Sequence, residues 1–101
     1  MKRFAQTVNV KKGKMNEYKK AHLQVWPEVL KQISQSNIKN YSIFVFQDIL
    51  FSYFEYHGVD YESDMAKMAS DPITQNWWAL MEPLIEEGDW WLDIEEVFHL
   101  D

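Results

Sequence analysis

The residues best suited to chemistry in this chain are His22, Tyr18 one helical turn before it, Tyr41, and the dipeptide Trp77-Trp78. An imidazole with an ordinary pKa near ~6.5 can give and take a proton at neutral pH. Tryptophans on a helix can hold the apolar C–H face of a sugar ring, and phenols can orient its hydroxyls. Each residue also has a plainer use. Five Trp in 101 residues supply core wedges, a histidine on an apolar stripe can be a core side chain with both nitrogens satisfied, and Tyr is a common strand residue. From pattern alone the core use leads for each residue. The pairing of Tyr18 with His22 within one turn argues for a polar pocket between a helix and a sheet. Trp26 and Glu28, flanking Pro27, either reach that same space or secure a bend.

Other chemistries find little support. The chain has no cysteine, hence no disulfide framework and no thiol nucleophile. His22, His57 and His99 lack metal-ligand spacing, so no metal is expected. The acidic cluster Glu86, Glu87, Asp89, Asp93, Glu95 and Glu96 lacks the glycine-spaced loop of a calcium site and reads as a solvated edge. No phosphate-binding glycine loop or nucleophile elbow is present. The net charge of −6 is split, with +7 before position 40 and −13 after it. A basic half raises the question of nucleic acid. However, Lys19, Lys20 and Lys31 fall on the polar face of a helix and Lys11, Lys12 and Lys14 in the turn before it, so no nucleic-acid partner is expected. No apolar run approaches the ~20 residues that cross a bilayer, and the N-terminus lacks an apolar signal region. The expectation is a cytoplasmic protein without a membrane partner. Asn40-Tyr41-Ser42 matches a glycosylation sequon, which reads as chance in that setting.

The elements that must position these residues follow from periodicity. Phe4, Gln6, Val8 and Val10 alternate as a strand does, and Lys11-Lys12-Gly13-Lys14 breaks it. Tyr18, His22, Val25, Val29 and Ile33 recur at three- and four-residue spacings between Met15 and about Ser36. Pro27 must kink this helix or start a second one, and Ser34 to Asn37 closes it. Residues 38–47 and 49–57 are rich in aromatic and β-branched types and leave room only for a tight turn between them. After Gly58 a short helix runs through Tyr61, Met65 and Met68. Ser70-Asp71-Pro72 then caps another, expected to carry Ile73, Trp77, Leu80, Met81 and Leu84 on one stripe. Trp91 to Leu100 alternates as a final strand.

The order β-α-β-β-α-β predicts an α+β, ferredoxin-like antiparallel sheet with helices on one face, as a single domain over residues 1–101. Its middle strands are apolar on both sides, with Ile43 and Val45 on one and Phe44 and Phe46 on the other. Helices can cover one face only. A homodimer packed through the second sheet face is therefore expected.

Tyr18-x-x-x-His22, Val25-Trp26-Pro27-Glu28, Asn40-Tyr41, Trp77-Trp78 and the closing Glu96-Val97-Phe98-His99-Leu100 together resemble the L-rhamnose mutarotase family over essentially the whole chain. The resemblance implies a dimeric α+β barrel and a cofactor-free interconversion of the α and β anomers of a 6-deoxyhexose. It places the acid/base role on His22 and substrate contacts on Tyr18, Tyr41, Trp77 and Trp78, with no metal. The chain departs from the family at Leu23, where a polar residue is common; Gln24 keeps polar character one position on. L-Fucose is the alternative substrate. A non-catalytic sugar-binding domain, or another small-molecule enzyme such as a ferredoxin-like monooxygenase, is the alternative from a different class.

Overall fold

The alternation along β1 (Lys2–Asn9) sends Phe4, Gln6 and Val8 to one side and Arg3, Ala5 and Thr7 to the other, as its cross-strand partners show. In the computed structural model, which describes residues 1–101, this strand is an inner member of a four-stranded sheet. β2 (Ile38–Phe46), β3 (Ile49–Tyr56) and β4 (Leu92–Ile94) complete it in the order β2-β3-β1-β4, antiparallel at every pairing. This is the expected ferredoxin-like α+β arrangement. Gln47 opens the β2–β3 turn at φ 56°, the positive value that a two-residue hairpin turn demands at its first position.

Leu50, Ser52, Phe54 and Tyr56 of β3 are buried and alternate with Phe51, Tyr53 and Glu55, which are not. The buried side carries the helices. Val8 and Leu50 join Met15, Tyr18, Val29, Trp77, Met81, Leu84 and Ile85 in one core. Leu50 is 0% exposed, a burial that contributes on the order of 1.5–3 kcal/mol.

Each crossover is a broken helix. α1 (Met15–Ala21) gives way to a 3-10 turn at His22–Gln24, and α2 (Pro27–Gln35) begins afresh with Pro27 at its first turn. The residue before a proline avoids helical ψ, and Trp26 accordingly sits at φ −59°, ψ 135°. The stretch from Tyr18 to Ile33 is thus two helices around a corner, and His22 stands at that corner. On the other side α3 (Tyr61–Ser70) is capped by Asp60 and α4 (Pro72–Met81) by Asp71, whose carboxylate accepts from Thr74 N at 2.8 Å.

Two sequence expectations are corrected. α4 buries Thr74, Trp77 and Met81, whereas Ile73 and Leu80 are exposed. The buried line is set by the i, i+3, i+7 series through Trp77, and Thr74 can join it because its hydroxyl is satisfied by Asp71 at 2.8 Å. The final strand is also short. Only Leu92–Ile94 pairs with β1, and Glu95 to Asp101 adopts no regular structure, leaving Val97, Phe98 and Leu100 exposed. Lys2–Phe4 of β1 extend past Ile94 without a β4 partner, and Arg3 holds the segment through its side chain instead, to Glu96 at 2.8 Å.

Candidate active site

A cleft of about 1020 Å³ lies between the buried face of the sheet and the helices. His22, Tyr41, Trp77 and Trp78 all line it. Tyr18 does not. It is 5% exposed and stands behind His22, its ring stacked on the imidazole with centroids 4.2 Å apart.

The end of α1 fixes the histidine. His22 Nδ1 lies 2.9 Å from the Tyr18 carbonyl oxygen. A carbonyl only accepts, so Nδ1 carries the proton and donates, and Nε2 is left with its lone pair. No protein group pairs with Nε2, and it is not among the sealed, partnerless polar atoms. Burial lowers the His22 pKa below the ordinary histidine value, with the Tyr18 carbonyl acting weakly in the opposite direction. The imidazole is therefore neutral at neutral pH, with Nε2 as a base. Trp77 meets the ring edge-on at 5.3 Å and is itself met edge-on by Trp26 at 5.3 Å, which locks the corner that Pro27 creates.

A β-bulge delivers Tyr41. Across β2 and β3, Lys39 pairs with Glu55 and Ser42 with Tyr53, so Asn40 and Tyr41 together face Phe54. Asn40 takes φ 51°, and its side chain donates to Glu55 at 2.7 Å. The extra residue re-aims the strand, and Tyr41 turns to the helix-covered side, 5.6 Å from the Phe54 ring. Burial pushes its phenol up to about 12. The Tyr18 phenol is also raised, first by burial and then by its proximity to Tyr41. Both phenols remain protonated donors across the neutral range.

Trp77 and Trp78 do not form one flat platform, because consecutive helical residues point about 100° apart. Trp77 walls the His22 end, and Trp78 packs edge-on against Trp90 at 6.2 Å toward the other. Sequence reasoning missed Gln6, Phe54, Tyr61, Trp90 and Trp91, which also line the cleft. Gln6 had a signal: it is the one amide between apolar Phe4 and Val8 on the inward side of its strand. Asp93, read as solvated edge, instead accepts from Gln6 Nε2 at 2.9 Å. No group of three or more His, Asp and Glu side chains gathers as a metal site, and no helix is long and apolar enough to cross a membrane.

The architecture and the site define a class: small α+β proteins with a ferredoxin-like sheet and an aromatic cleft beneath its helices. Within that class, the chain belongs to the L-rhamnose mutarotase family, whose model matches residues 3–100. An L-rhamnose mutarotase from Oceanobacillus iheyensis is 35% identical over 107 residues, covering 100% of both chains. The crystal structure of an L-rhamnose mutarotase from Formosa agariphila superposes with a TM-score of 0.85 at 25% identity, covering 100% of both chains. A NIPSNAP family protein from Agrobacterium tumefaciens shares the fold, with a TM-score of 0.63 at 20% identity over 95% of this chain and 87% of its own.

Proposed function

We propose that this chain is a cofactor-independent isomerase that interconverts the α and β anomers of L-rhamnose, with His22 as its acid/base group. Family membership carries the reaction, and the free, neutral Nε2 of His22 inside the cleft carries the residue assignment. L-Fucose is not favoured as the substrate, since the family and its relatives are described by L-rhamnose.

Ring opening needs two proton movements about one carbon. Nε2 takes the proton of the anomeric hydroxyl as C1–O1 becomes a carbonyl and the bond from C1 to the ring oxygen breaks. The ring oxygen then takes that proton back from the imidazolium. Both oxygens are attached to C1, so one nitrogen can serve them in turn. Rotation about C1–C2 and the same steps reversed give the other anomer, with no net gain or loss of protons. The Tyr18 ring face beneath the imidazole attracts the transient cation, and the Tyr18 carbonyl keeps Nδ1 committed throughout. The protonated phenol of Tyr41 orients ring oxygens, and that of Tyr18 completes the polar wall behind His22. Trp77 and Trp78 offer apolar surface to the C–H face and to the C6 methyl. Such acid/base groups typically supply about 10²–10⁴-fold.

The same reading covers residues 1–101 as one domain acting in the cytoplasm, with a monosaccharide as ligand and without nucleic acid. A homodimer through the open sheet face is supported by Phe44 and Phe46, 60% and 63% exposed on the side away from the helices, with Phe51, Leu92 and Ile94 beside them. Saturation-transfer NMR between the two anomeric protons tests the reaction on L-rhamnose, L-fucose and unmodified hexoses. Catalysed exchange, fastest for L-rhamnose, is expected. Tight binding with exchange at the uncatalysed rate would make the chain a sugar-binding domain instead.

A further inference from the structure

Across the sheet floor, Ser52 of β3, Gln6 of β1 and Asp93 of β4 stand at one register, Gln6 being the cross-strand partner of both. They form a polar row on a face whose neighbouring rows are apolar: Phe4 beside Phe54, and Val8 beside Leu50. Gln6 is the member of the row that lines the cleft. Its single side-chain hydrogen bond is from Nε2 to Asp93 Oδ1, 2.9 Å. A carboxylate only accepts, so this bond orients the amide: Nε2 faces Asp93 and the carbonyl Oε1 is left without a protein partner. Ser52 is 2% exposed, and its hydroxyl is the one sealed side-chain polar atom in the chain with no hydrogen-bond partner. Buried polar groups are normally paired. Of this row only Gln6 reaches the cleft, and it presents an unused acceptor there; the Ser52 hydroxyl beneath is sealed and does not line it.

Other polar side chains line the cleft, Ser34 and Lys39 among them, but two that flank it are already engaged. Asn40 is committed to Glu55 and the Thr74 hydroxyl to Asp71. Trp77 belongs to the reacting end with His22. Gln6 belongs with Tyr61, another cleft residue, whose phenol is raised by burial and by the nearby Asp93 carboxylate. A pyranose carries secondary hydroxyls away from its anomeric carbon, and each is a hydrogen-bond donor as well as an acceptor.

We propose that Gln6 reads one of these ring hydroxyls through Oε1, with Asp93 as the positioning residue that holds the amide in that orientation. The proposal rests on the mutarotase reading for the identity of the sugar. It makes the β1–β4 side of the floor the specificity end of the cleft, distinct from the reacting end at His22.

The test is a binding panel of L-rhamnose and its 2-, 3- and 4-deoxy derivatives, followed by tryptophan fluorescence, which needs no turnover. Gln6→Met weakens L-rhamnose binding about tenfold, the size expected for one lost hydrogen bond to a neutral group. It weakens two of the deoxy sugars equally. The third, lacking the hydroxyl that Gln6 reads, binds parent and variant alike. Asp93→Ala gives the same pattern on the same sugar, which a general loosening of the fold would not. If Gln6→Met fails to fold, Gln6→Asn, which keeps the amide but shortens its reach, must show the same selective loss. Equal weakening across all four sugars, or no weakening, overturns the proposal. Anomer exchange by the parent protein is scored separately, so failure of the mutarotase reading is distinguishable from failure of this one.

Discussion

The two faces of this sheet are built from the same strands by the same alternation, yet they end in different states. On one face Val8, Leu50 and Phe54 are buried under helices, and the space those helices leave open is the cleft. On the other face Phe44, Phe46, Leu92 and Ile94 remain exposed, with Arg3, Glu55 and Glu96 paired toward one end. The covered face is the one suited to chemistry: its helices bring a histidine and two indoles, and the bulge of β2 brings a phenol, over a floor with its own polar row. The open face has no such groups above it, and its apolar side chains suit a second copy. Burial covers one side; the proposed association of two copies would cover the other in a chain too small to wrap both faces.

The largest expected difference between the faces is in stability. Leu50→Ala should cost about 2–5 kcal/mol, because it opens a cavity at a fully buried position. Phe51→Ala, one residue away on the open face, should cost clearly less in urea denaturation of the dilute protein. Equal losses would mean that the two faces are not distinct. Next comes association. Phe44→Glu places a charge on the face proposed for self-pairing, and should weaken the proposed homodimer by about 2 kcal/mol or more and shift sedimentation toward the single-copy mass. An unchanged mass would remove the sheet face from the interface.

Much of this comparison is legible in the sequence. Alternation in β1, the aromatic and β-branched content of β2 and β3, Pro27 and Asp71-Pro72 are local signals, and each marks the element it predicts. What was not legible depends on pairing between distant segments. The bulge at Asn40–Tyr41 exists only in register with Phe54 of β3, so strand periodicity alone could not say which side Tyr41 faces. Asp93 looked like one more acid in a charged run until β4 placed it beside Gln6. The alternation from Trp91 to Leu100 could not say how much of it would find a partner strand. His22 is a mixed case. Its spacing from Tyr18 was visible, but the bond that fixes its tautomer follows from the way α1 ends.

Two smaller effects sharpen the account of the covered face. Because burial lowers the His22 pKa, its neutral form persists until the pH falls below the ordinary value of ~6.5. The kcat/KM for anomer exchange should be level at neutral pH and fall about tenfold per pH unit once below the lowered folded value. Stability has the same sign. The unfolded chain binds the His22 proton more readily, so this contribution is complete above ~6.5 and is lost as the pH drops through the folded value. His22→Ala should flatten that part of the stability profile. Smallest of all, Ser52→Ala removes a buried hydroxyl without a partner, and should raise the stability of the sugar-free protein by up to about 1 kcal/mol in urea denaturation. A loss of that size would mean that the hydroxyl has a partner in the folded protein.

The central claim is that the unpaired Nε2 of His22 moves the protons of anomer exchange. Saturation transfer between the α and β anomeric protons of L-rhamnose, for the parent protein and His22→Ala side by side, tests it most directly. The account predicts that the variant keeps its circular dichroism spectrum and loses about 10²–10⁴-fold in exchange rate. A folded His22→Ala protein that exchanges the anomers at the parent rate would contradict it.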